Sequence, residues 1–126
     1  MASGSLHRLV GADDETPLSV TGAGTVTTDP VLLHSNSDNF AGVLQVDVNT
    51  GGTSLDVVVQ TAPRKAGPWF DVITFTQVVG SDSDQLRNLD ATVEHLLQYV
   101  RAEIVTVGGG SDYDVLLDLH YRPTSG

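Results

Sequence analysis

Apolar and polar side chains alternate through the middle of this chain. In residues 41–49, Leu44, Val46 and Val48 are separated by Gln45 and Asp47, and in residues 53–61, Leu55, Val57 and Val59 share one face while Asp56 and Gln60 share the other. Successive side chains of a strand point to opposite faces, so a period of two marks a strand with one face turned inward. Val58 breaks the polar side of the second run. Residues 99–121 repeat the arrangement. Val100, Ala102, Ile104 and Thr106 oppose Arg101 and Glu103; beyond Gly108-Gly109-Gly110-Ser111-Asp112, Val115, Leu117, Leu119 and Tyr121 oppose Asp114, Asp118 and His120. With glycine turns at Asn49-Thr50-Gly51-Gly52 and at Gly108, both segments read as β-hairpins.

Shorter strands are expected at 18–21 and 25–28 around Gly22-Ala23-Gly24, and at 31–34 after Asp29-Pro30. Pro63 and Pro68, which lack backbone donors, end a ladder ahead of an aromatic and β-branched strand at 69–77. Residues 81–98 read in two ways. Ser81-Asp82-Ser83-Asp84 can cap a helix carrying Leu86, Leu89, Val93, Leu96 and Leu97, but Asn88, Asp90 and Thr92 are poor helix interiors, so an extended or irregular crossover is expected. The pattern as a whole predicts an all-β fold, an antiparallel β-sandwich of about eight short, hairpin-linked strands. Residues 1–16 hold one apolar cluster, Leu6, Leu9 and Val10, between glycines and the acidic run Asp13-Asp14-Glu15. They are read as an N-terminal arm ahead of a domain at 17–126. Trp69, flanked by Phe70, Val72, Ile73 and Phe75, is expected to anchor the core, the alternative being an exposed stacking platform.

Composition narrows the function classes. Zero cysteines exclude a disulfide framework and thiolate metal sites within these 126 residues. Six basic residues against sixteen acids, a formal charge of −10, form a surface that repels phosphate backbones, so no nucleic-acid partner is expected. The start of the chain lacks a secretion signal and no run reaches the roughly eighteen apolar residues of a membrane-crossing helix, so a soluble product made in a cytoplasm, with no membrane partner, is expected.

No catalytic pattern emerges. His7, His34, His95 and His120 are scattered without metal-ligand spacing. Asp82 with Asp84, and Asp112 with Asp114, resemble fragments of calcium loops, but the central glycine and closing glutamate are missing and turn chemistry accounts for both pairs. Gly22-Ala23-Gly24 and Gly108-Gly109-Gly110 have strands on both sides, so neither is a phosphate cradle. The serines lack a nucleophile elbow. The expectation is a non-enzyme without cofactor or metal, working through its surface.

Residues 57–101 carry a family resemblance. A strand ending Gln60-Thr61-Ala62-Pro63, then Gly67-Pro68-Trp69-Phe70-Asp71-Val72, then Phe75-Thr76-Gln77-Val78, and after a variable crossover Tyr99-Val100-Arg101, is similar to small virion proteins of tailed bacteriophages. The resemblance implies a capsid decoration, or cement, protein on the exterior of the virion, with the major capsid protein as partner and a homotrimer as oligomer. Tail, neck or collar placement shares that fold, and a carbohydrate-binding module is the rival outside the class. Under the decoration reading the partner-binding candidates are Leu6, Arg8, Leu9 and Val10 on the arm and Arg64-Lys65, where two cations adjoin.

Overall fold

The computed structural model describes residues 5–12, 14–33, 37–50, 53–93 and 95–123. No helix occurs among them. The strands are β1 (Ser5–Val10), β2 (Leu18–Thr21), β3 (Gly24–Thr27), β4 (Val31–Leu32), β5 (Ser37–Thr50), β6 (Ser54–Ala62), β7 (Phe70–Thr74), β8 (Ser83–Asn88), β9 (Tyr99–Val107) and β10 (Asp112–Pro123). They form two antiparallel sheets, β1-β10-β5-β8 and β3-β9-β6-β7, with β2 also on β10 and β4 also on β9.

Registers reduce these ten strands to eight lanes. β1 pairs with residues 117–121 of β10 and β2 with 112–115, end to end along one edge. In the same way β3 and β4 share the free edge of β9. The lane orders are then β1/β2, β10, β5, β8 in the first sheet and β3/β4, β9, β6, β7 in the second, the strand order of a jelly roll.

That order corrects the hairpin expectation. β5 pairs with β10 and β8, whereas β6 pairs with β9 and β7, so these two consecutive strands lie in different sheets. β9 and β10 likewise lie in opposite sheets, as do β2 and β3. Alternation says which face of a strand turns inward; a partner in the facing sheet satisfies it as well as a neighbour in the same one. Of the consecutive strands, β6 and β7 do form a hairpin. Because each pairing is antiparallel, the connections β2–β3, β5–β6, β7–β8 and β9–β10 gather at one end of the sandwich, and β4–β5, β6–β7 and β8–β9 at the other, beside the start of β1.

The core lies between the sheets. Leu44 and Val46 of β5, Leu55, Val57 and Val59 of β6, Ile73 of β7, Val100, Ala102 and Ile104 of β9 and Tyr113, Val115, Leu117 and Leu119 of β10 are fully enclosed. Each large aliphatic group among them contributes roughly 1.5–3 kcal/mol by leaving water. Bulges adjust the inward set: the register shift opposite Val59/Gln60 turns both Val72 and Ile73 inward.

Side chains close the free edge of β7. Asp90 accepts from the Thr74 amide (3.0 Å) and hydroxyl (2.8 Å), while its own amide donates to Val72 O (2.8 Å). The Gln85 amide group accepts from Thr76 N and donates to Thr76 O, both at 2.8 Å, imitating a neighbouring strand. Edge groups occupied in this way cannot template another strand.

Among the described residues one buried side-chain polar group is unmatched. Tyr113 is fully enclosed and its hydroxyl has no hydrogen-bond partner. An unsatisfied buried hydroxyl costs about 1–3 kcal/mol, so Tyr113→Phe is expected to raise stability by about 1 kcal/mol, read as a higher urea midpoint at unchanged slope. A lower midpoint would show that the hydroxyl is satisfied.

Candidate interaction surfaces

The β6–β7 loop builds the most organised surface. Gly67, at φ +97°, precedes a cis peptide to Pro68, and a Cβ on Gly67 would sit 3.0 Å from Trp69 Cδ1, so glycine lets the indole fold back over the second sheet. Trp69 is half-buried on the outer face rather than central in the core, because it precedes β7 and lies over β9. The Arg101 guanidinium carbon stands 4.2 Å from the ring centroid, a cation–π contact. Arg101 Nε donates to Gln60 Oε1 (2.8 Å), and Gln60 Nε2 donates to Asp71 Oδ1 (2.9 Å). Gln60 is 8% exposed, so this relay is held rigidly. Its consequence is that Asp71 orients Arg101 through Gln60 without neutralising it at contact. The terminal guanidinium N–H groups meet no acceptor among the described residues.

An open groove of about 360 Å³ adjoins this corner, lined by Thr61, Phe70, Asp71, Val72, Thr92, Val93, His95 and Leu97. Thr61 fixes its floor: the hydroxyl donates to Tyr99 O (2.9 Å) and accepts from Leu97 N (2.7 Å). Phe70 is 53% exposed, although it stands opposite inward-facing Thr61, because it begins an edge strand ahead of the stretch that Asp90 and Gln85 cover.

Across the sandwich, the outer face of the first sheet is acidic. Asp112, Asp114 and Asp118 alternate with the buried residues of β10, Asp47 stands directly opposite Asp114, and Asp84 stands opposite Gln45. Like charges in direct cross-strand register oppose folding. Two of these carboxylates have partners: Asp118 pairs with Arg8, and Asp114 accepts from Asn49 Nδ2 (3.0 Å). Leu86, opposite Val43, is 71% exposed on this face.

The expected partner-binding residues part company here. Arg64 and Lys65 are exposed and form no ion pair among the described residues. Leu9 and Val10 are in the core, and Arg8 is spent on Asp118 and on Ala12 O (2.7 Å). The segment read as an arm is therefore strand β1 from Ser5 to Val10, and a bulge between Arg8 and Val10 turns two consecutive apolar residues inward. The Leu6 side chain lies outside the described residues.

Among the titratable groups, Asp14 is held below the usual carboxylate range by hydrogen bonds from the Thr16 hydroxyl and backbone. His7 stacks on Tyr121, with Nε2 2.9 Å from the phenol oxygen, His95 lies in the groove and His120 is exposed; His34 is outside the described residues. Among the described residues no three His, Asp or Glu side chains gather as a metal site. Asp82, part of one calcium-like pair, accepts from Val48 N (2.7 Å). The relay Trp69–Arg101–Gln60–Asp71 was not legible as a unit, since its members come from three strands and a loop, although all four residues fall inside the stretch that resembles phage virion proteins.

No family model and no curated protein matches the sequence. Solved structures do match in fold. The infectious bursal disease virus Gx strain structure aligns over 100% of this chain at 16% identity with a TM-score of 0.61. T=1 particles derived from infectious bursal virus align over 97% at 14% identity with a TM-score of 0.64. This chain spans about a third of those viral chains, 33% and 31%. A subunit of Bacillus endospore appendages, which form disulfide-linked pili, aligns over 99% of this chain and 92% of its own length at 10% identity with a TM-score of 0.52. Identities this low establish a common fold.

Proposed function

We propose that this protein is a non-enzymatic structural component of a virion, and specifically a decoration protein on the exterior of a tailed-phage capsid, with the major capsid protein as partner. The observation that carries this reading is the jelly-roll lane order, which aligns over nearly the whole chain with chains of virus-derived particles. On a repeating lattice many weak contacts add by avidity, so a small acidic domain can be held there without one strong site. The exposed Arg64-Lys65 loop is the contact that this reading assigns to the capsid lattice.

The test is occupancy. Purified capsids lacking the protein, incubated with it and pelleted, are expected to bind copies in a fixed ratio to the major capsid protein and to lose most of them with Arg64→Glu/Lys65→Glu. Binding confined to a single vertex or to tails would place the protein at a neck or tail instead. Absence of binding to any particle would overturn the reading.

A further inference from the structure

Resting on the structural reading above, we infer that the corner formed by Arg101, Trp69, Arg64 and Lys65 is a receptor for the acidic outer face of the first sheet of a second copy of this chain. Three observations meet at the corner. Arg101 is pre-positioned by Trp69 and Gln60 with its terminal N–H groups unspent, and such a stacked, oriented guanidinium forms bidentate bonds to carboxylates at little ordering cost. Arg64 and Lys65 stand in the same loop as Trp69. Elsewhere Arg8 is paired with Asp118 and Arg87 donates one bond to Thr76 Oγ1; the other three basic side chains among the described residues, Arg64, Lys65 and Arg101, all belong to this corner.

The complementary surface belongs to the same molecule. The outer face of the first sheet carries Asp47, Asp84 and Asp112, which form no ion pair among the described residues, and the Asp47–Asp114 register leaves a repulsion that an incoming guanidinium would relieve. Each side also carries apolar surface: Leu86 projects beside Asp84, and the open groove is lined by exposed Phe70 and by Asp71 of the Arg101 relay. An apolar centre ringed by Arg, Trp and carboxylates is the make-up of an interface hot spot.

Placement gives this contact its consequence. Corner and acidic face belong to opposite sheets, so one pair of copies leaves one corner and one face still open. Such a contact is heterologous, and repetition closes a ring or propagates a lattice or fibre.

Sedimentation velocity of the full chain over rising concentration, at low and high salt, tests the inference. Wild type is expected to self-associate and to lose that association at high salt. Arg64→Glu/Lys65→Glu and Leu86→Glu are each expected to weaken it about tenfold or more, and Arg101→Gln likewise. Asp47→Lys/Asp84→Lys should weaken it alone and restore it when mixed with Arg64→Glu/Lys65→Glu. Thermal melts matching wild type for the exposed-site variants separate lost contact from lost fold. A wild type that stays monomeric, or variants that associate like it, would overturn the inference while leaving capsid occupancy, measured separately, to judge the decoration reading.

Discussion

Removing residues 1–10 is expected to abolish cooperative folding of this protein, not merely to trim an appendage. β1 covers half of one edge of β10, and Leu9 and Val10 are 6% and 1% exposed. Their burial contributes roughly 1.5–3 kcal/mol each. Truncation also strips Asp118 of Arg8 and opens the edge of a long central strand, which invites aggregation. Together these losses approach the roughly 5–15 kcal/mol that holds a typical domain. Circular dichroism melts and gel filtration should show a truncated chain that is unfolded or aggregated at room temperature. If it melts within a few degrees of the intact chain, β1 is not part of the sandwich. The same result governs how capsid-binding data are read: lost occupancy on truncation reports lost fold, whereas Arg64→Glu/Lys65→Glu reports lost contact.

Gly42→Val is expected to cost about 1–3 kcal/mol despite placing a strand-favouring residue in a strand. Gly42 lies inside β5 between Leu119 and Arg87, and a Cβ there would come within 2.8 Å of Phe75 Cζ and 3.4 Å of Ile73 Cδ1. Phe75 is 4% exposed and Ile73 fully enclosed, so neither can swing clear. Overpacking of this kind costs about 1–3 kcal/mol and exceeds the gain in strand preference, which is within about 1 kcal/mol. Phe75→Leu in the same chain should return part of the loss, giving a double-mutant cycle that is not additive. Equal stability of Gly42→Val and wild type in urea would show that β5 and β7 are less closely packed than described.

Gly42 also shows where sequence reading stops. Nothing in its neighbours announces a phenyl ring thirty-three positions later, since the contact is made only when two sheets close on each other. The burial of Leu9 and Val10 is hidden in the sequence for a related reason. A strand betrays itself by alternation, and the bulge at Arg8/Val10 breaks alternation where β1 is most deeply buried. Trp69 was legible as a large apolar group, but its position over Arg101 depends on a loop turning back across the second sheet. For residues 81–98 the poor helix formers weighed correctly: Ser83–Asn88 is strand β8 and Asp90 caps an edge.

The order of side chains along the chain decided, without help, which residues of each long strand face inward, where the turns fall, and that the surface is strongly acidic. These are local or summed properties, set by the two-residue repeat of extended backbone and by counting charge. Pairing was decided only by the folded whole. Whether a glycine turn folds a strand onto its neighbour or arches it into the facing sheet depends on which closure buries both apolar faces at once. That choice made a jelly roll of a chain whose alternation was equally compatible with hairpins. The same closure brought Arg101, Gln60, Asp71 and Trp69 into one relay and set the acidic face on the opposite side of the molecule.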